Sequence, residues 1–203
     1  MKYRWRASGL AFLAGLGLAL GGCSQSPLAP DNLVLNGGSG GSFTSPPILA
    51  LASDGSVSYV PAPVGATAEG TLNLASSLPR SVSSSLKIDG SKGGTVRAGR
   101  LSVMLPAGAF SGSATVTVSI PDTTVIQCDL SISPLSANSF KYPARLTVDL
   151  SGLAVDVSTL TTYWYDPVNR VWVSLRANTS CSGTSLWTSL NHFSTYAAGK
   201  AGW

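Results

Sequence analysis

Between residues 101 and 120 the chain alternates apolar and small polar residues twice, on either side of a short turn. Leu101, Val103 and Leu105 share one parity. After Pro106-Ala107-Gly108-Ala109, the residues Ala114, Val116, Val118 and Ile120 share another, with Ser113, Thr115, Thr117 and Ser119 between them. A period of two puts successive side chains on opposite faces of an extended strand, so each run describes a strand with one buried and one wetted face.

The same reading extends along the chain. Strands are expected at 86–88, 95–97, 100–105, 113–120, 125–133, 144–150, 160–165, 170–175, 185–190 and 193–197. Ala98-Gly99 breaks one pair, Pro143 opens another strand, and Asp166-Pro167-Val168-Asn169 suits a type I turn with aspartate first and proline second. No helical period appears after residue 22. Short strands with a turn every eight to twelve residues imply an all-β, antiparallel sandwich. Its expected extent is 84–198, about 115 residues and enough for one core, with 199–203 as a C-terminal tail.

Upstream, residues 1–22 read as an export signal. Lys2, Arg4 and Arg6 precede an apolar run over 10–20 that is short for a bilayer span. The segment ends in Leu20-Gly21-Gly22-Cys23, which resembles a bacterial lipobox. That resemblance implies acylation of Cys23 and an exported, membrane-anchored lipoprotein; the other reading is ordinary cleavage near Gly22. Two or more acyl chains give stable anchoring where one gives marginal binding. Ser24, rather than an aspartate, follows Cys23, which in enteric-type lipoproteins goes with the outer membrane.

Removing the signal takes three of the 13 basic residues and leaves ten against nine acids. The basic pI therefore belongs largely to the signal, and no basic patch supports nucleic-acid binding. Charged residues are 11%, so serine and threonine must supply the wet faces. Residues 23–83 read as the acylated cysteine plus a Gly/Ser/Pro-rich tether. Within it, 48–60 can form a hairpin across Asp54-Gly55. Cys128 and Cys181 remain as an even pair in an exported chain, and a disulfide between them is expected. Cys128 also lies on the inward parity with Ile126, Leu130 and Ile132, as a small core residue would.

Gly93-Gly94, LSVMLPAGAFSGSATVTV, Phe140-Lys141-Tyr142-Pro143 before RLTVDL, YWYDPVNRVWVSL and His192-Phe193-Ser194-Thr195-Tyr196 together resemble a ZU5 domain over 84–198. The resemblance implies a β-sandwich used for protein–protein contacts, hence a non-enzymatic interaction module with a protein partner at the cell envelope. Some animal ZU5 domains cut themselves between the phenylalanine and serine of such a triplet. Carried over, Ser194 would attack the Phe193 carbonyl with His192 as base. Residues two apart on a strand lie about 6.5–7 Å from each other, so this needs a kink. Leu186 and Leu190 differ in parity from Phe193 and Ala197, which suggests a β-bulge near Asn191-His192.

No nucleophile elbow appears. The aspartates are scattered without calcium-loop or clustered-ligand spacing, so no metal and no cofactor are expected. Trp164, Trp172 and Trp187 offer a possible aromatic platform for a glycan or other surface, against the alternative of core and cross-strand packing.

Overall fold

A computed structural model describes residues 45–63 and 81–203. Thirteen strands run through these residues: β1 Pro47–Leu51, β2 Val57–Pro61, β3 Val82–Asp89, β4 Gly94–Ala98, β5 Leu101–Leu105, β6 Ser113–Ile120, β7 Gln127–Ser133, β8 Ala144–Asp149, β9 Leu160–Asp166, β10 Val171–Ser174, β11 Thr179–Ser182, β12 Ser185–Leu190 and β13 Thr195–Lys200. They form two antiparallel sheets. One has the order β10-β9-β13-β7-β6-β3, with β1 against β13 and β2 against β1; the other is β11-β12-β8-β5-β4. The fold is thus an all-β domain with the architecture of a β-sandwich.

The alternating runs supply the interior. Leu101, Val103 and Leu105 from β5 and Ala114, Val116, Val118 and Ile120 from β6 are all buried in one continuous core. Leu146 and Val148 from β8, Leu130 and Ile132 from β7, and Leu186 and Leu190 from β12 join them. Yet β5 and β6 belong to different sheets. The segment between them is a crossing from one layer to the other, with Ala109 and Phe110 tucked inside.

A second crossing, from β3 to β4, lies against it. Gly90 N–H donates to Gly112 O at 2.8 Å, and Gly108 N–H donates to Gly90 O at 2.7 Å. A Cβ on Gly90 would stand 2.1 Å from Phe110 O, so this approach of two backbones requires glycine.

The hairpin across Asp54-Gly55 forms, and it is part of the larger sheet. β1 and β2 pair in register from Pro47 opposite Pro61 to Leu51 opposite Val57. Ile48 faces Gly199 of β13, and Ile126 N–H donates to Leu49 O at 2.9 Å. Leu49 enters the main core, while Ile48 joins Ala62, Val125, Tyr163, Tyr165, Trp172 and Ala197 in a second apolar cluster. Strand β9 is therefore buried on both faces: Leu160 and Thr162 face the main core, Tyr163 and Tyr165 the second cluster.

Where β9 meets the opposite sheet, the contact is polar. Thr162 Oγ1 and Thr188 Oγ1 are 2.6 Å apart, Thr188 Oγ1 and Thr179 Oγ1 are 3.2 Å apart, and Thr179 Oγ1 donates to Leu175 O at 2.9 Å. This buried hydroxyl chain satisfies groups that burial would otherwise penalise. It also explains why β11, a polar stretch with only Thr179 buried, carries no alternation signal.

The expected Cys128–Cys181 disulfide is not formed. Cys128 is a free thiol, 1% exposed, on the inner face of β7. Cys181 lies on β11, the far edge strand of the other sheet, opposite Leu186. The inward parity of Cys128 reflects its use as a small core residue. Burial pushes its thiol well above the ordinary cysteine range, which removes the thiolate needed for reaction.

Candidate functional site: the last crossing

The His192-Phe193-Ser194 triplet lies between Leu190, which ends β12, and Thr195, which begins β13. Those strands are in different sheets. The parity break expected to mark a bulge is instead a layer crossing: the residues facing the core change parity because the chain enters the opposite face of the sandwich.

Four consecutive carbonyls in this crossing have partners from three separate places. Phe140 N–H donates to Asn191 O at 3.0 Å. The Tyr196 hydroxyl donates to His192 O at 2.7 Å. Asn138 Nδ2 donates to Phe193 O at 3.1 Å, and Phe193 N–H donates to Asn138 Oδ1 at 2.6 Å. Leu130 N–H donates to Ser194 O at 2.9 Å. The Asn138 amide thus takes both backbone groups of Phe193, as a neighbouring strand would. Phe193 itself is buried, its ring edge-to-face with Phe140 at 4.7 Å.

The reactive groups of the triplet point elsewhere. Ser194 Oγ donates to Tyr165 O at 3.3 Å. His192 Nδ1 is 3.4 Å from Phe193 O, and its ring lies edge-to-face on Trp164 with centroids 5.2 Å apart. No hydrogen bond joins His192 to Ser194 among the described residues. The structure does bring a donor, Asn138 Nδ2, to the carbonyl at which an acyl shift would begin, beside the longer contact from His192 Nδ1. Sequence reasoning missed Asn138; a lone asparagine 55 residues upstream carries no pattern that would mark it.

The three tryptophans are not brought together. Trp172 is buried in the second cluster and donates from Nε1 to Pro63 O at 3.0 Å. Trp164 is half-buried against the main core, with its Nε1 enclosed. Trp187 lies on the outer face of the five-stranded sheet, where the Arg145 guanidinium sits 4.1 Å from its ring centroid. That stacked cation covers one face of the ring. Trp203, at the C-terminus, stands edge-to-face on Tyr163.

Six of the scattered aspartates have a common use, while Asp129 instead accepts from the Thr195 hydroxyl at 2.6 Å. Asp54, Asp89, Asp122, Asp149, Asp156 and Asp166 each accept, through Oδ1, the backbone N–H two residues on. These are turn caps of the Asx type. The side-chain and backbone bonds hold the carboxyls of Asp54, Asp89, Asp149, Asp156 and Asp166 below the usual carboxylate range. Among the described residues no group of three or more histidine, cysteine or acidic side chains is placed to hold a metal.

Cys23 lies outside the described residues. Among those described, no helix is long and apolar enough to cross a membrane. No protein-family model matches the chain, and no curated protein sequence matches it.

Proposed function

We propose that the protein is an exported lipoprotein, acylated at Cys23 and held at the bacterial envelope, with the outer membrane as its site. Its sandwich is a ZU5-like, non-catalytic interaction module for a protein partner. The observation that supports this reading is the commitment of the chemically capable groups to the fold itself. Six aspartates hold turns, Asn138 and Tyr196 hold the last crossing, and the Ser194 hydroxyl is engaged with Tyr165 O. The chain between Cys23 and Ser45 can extend at most about 80 Å, which bounds how far the sandwich stands from the anchor on that side.

Metabolic labelling with a fatty-acid analogue tests the anchor: wild type takes the label and Cys23→Ala loses it. Label retained by Cys23→Ala contradicts acylation at this residue. Crosslinking of the intact, envelope-bound protein then tests the partner. The module reading requires a discrete crosslinked protein that disappears in competition with the soluble domain.

A second reading, self-cleavage between Phe193 and Ser194, draws support from Asn138 Nδ2 at Phe193 O. A donor there would stabilise the oxyanion of an N-to-O acyl shift. Against it, Ser194 Oγ donates to a different carbonyl, and His192 Nδ1 lies near the Phe193 oxygen without a bond to the nucleophile.

A further inference from the structure

One end of the sandwich has a cleft between the end of β1, the two-residue β4–β5 turn and the connection from β6 to β7. Leu51, Leu101, Ile120, Val125 and Ile126 form its apolar wall, Thr123 adds a hydroxyl, and Arg100 is its single charged lining residue. The cleft is partly open to solvent and offers about 160 Å³. A cavity of about 150 Å³ with a comparable aliphatic lining accepts one benzene ring.

The walls are fixed by the backbone. Leu51 N–H donates to Thr124 O at 2.6 Å, and Ile126 N–H donates to Leu49 O at 2.9 Å. Asp122 Oδ1 accepts from both the N–H and the hydroxyl of Thr124, at 2.8 and 2.6 Å, which engages the one carboxylate on this connection.

Arg100 is also fixed. Asp149 N–H donates to Arg100 O at 2.8 Å, while Nη1 donates to Asp149 O and Ser151 O at 3.2 and 2.9 Å. Two neutral carbonyls anchor the guanidinium, and the nearby Asp149 carboxylate, already engaged by Ser151, feels its charge without a hydrogen bond to it. Its Nε and Nη2 donate to no group among the described residues. A held guanidinium with spare parallel donors is suited to a carboxylate.

We propose that this cleft binds a small apolar carboxylate the size of benzoate or hexanoate. The hydrocarbon packs on Ile120, Val125 and Ile126, and the carboxylate meets the remaining N–H groups of Arg100. Apolar lining with one placed polar group is the usual composition of a small-molecule site. A neutral molecule of the same shape keeps the packing and loses the charge-assisted bonds.

The test is methyl NMR on the whole protein, titrated with benzoate and hexanoate and, in parallel, with benzyl alcohol and hexanol. Saturable shifts confined to Leu51, Leu101, Ile120, Val125 and Ile126 are expected, with the acids at least about tenfold tighter than the alcohols. Arg100→Gln keeps a donor for the Asp149 and Ser151 carbonyls and should bring the acids down to the alcohols' affinity. Thr123→Trp at the rim should block both. Should Arg100→Gln fail to fold, the wild type still decides: added salt must weaken the acids and leave the alcohols unchanged. Shifts that never saturate, shifts spread over the molecule, or acids and alcohols of equal affinity overturn the proposal.

Discussion

Two of the places at which the described chain crosses between layers are built differently. The first, where the β3–β4 and β5–β6 segments lie together, is backbone against backbone: Gly90, Gly108 and Gly112 exchange N–H and C=O groups at 2.7 and 2.8 Å. The last, at residues 191–194, is backbone against side chains, Asn138 from 55 residues upstream and Tyr196 from the strand that follows, with Phe140 and Leu130 completing the set. A crossing must leave both sheet ladders, and every carbonyl it strands needs a partner. Glycine solves this by letting two chains approach closely. Asparagine solves it by imitating a strand. The second solution places a reactive-looking triplet in the fold for reasons of geometry.

This difference sets an order of expected effects. Gly90→Ala should be the most damaging, at about 4 kcal/mol, because the new Cβ meets the Phe110 backbone at 2.1 Å and backbone cannot be repacked. Asn138→Ala should follow at about 3 kcal/mol, since it strands the N–H of Phe193 and leaves its C=O only the 3.4 Å contact from His192 Nδ1. Tyr196→Phe removes one bond to His192 O and should cost about 1–2 kcal/mol. All three are read from denaturant unfolding. A Gly90→Ala cost below that of Tyr196→Phe would reverse the comparison. His192→Ala should cost under about 1 kcal/mol, because the crossing uses the His192 carbonyl, and its side chain contributes chiefly a ring contact to Trp164.

Acid should separate the two crossings further. The Asp89 carboxyl, which caps the first, is held below its ordinary value of 3.8 chiefly by the Ser91 hydroxyl and backbone N–H. A depressed carboxyl stabilises the fold fully above the unfolded value and loses that contribution as pH falls through the folded one. The four carbonyl bonds of residues 191–194 include no carboxylate. Amide hydrogen exchange below pH 4, corrected for intrinsic rates, should therefore show residues 89–93 loosening before 191–194. Simultaneous loosening would remove the distinction.

Those same constructions decide what could be read in advance. Strict alternation at 101–105 and 113–120 gave both strands, because each has one face on the core. It could not say that a layer change separates them, since parity is the same problem on either sheet. Strand β9 hid its second apolar face because the cover, Ile48 and Ala62, comes from a segment whose composition reads as spacer. Cys128 read as a disulfide partner from cysteine count alone, whereas its parity with Leu130 and Ile132 already matched a core residue. The parity break at 190–193 was legible, and its cause was not: a bulge and a crossing leave the same mark on a sequence. Asn138 was invisible, because a side chain that replaces a strand needs only one residue.

The measurement that bears most directly on the role of the last crossing is the intact mass of the purified wild-type domain under denaturing conditions. Denaturation matters, because a cut β13 would stay in the sheet through its pairing with β9 and β7. With Ser194 Oγ bonded to Tyr165 O and the crossing serving as a lock, a single full-length mass is expected, unchanged in Ser194→Ala. A wild-type preparation that loses the fragment from Ser194 to Trp203, restored to full length by Ser194→Ala, would contradict the structural reading and make the crossing a self-cleaving site.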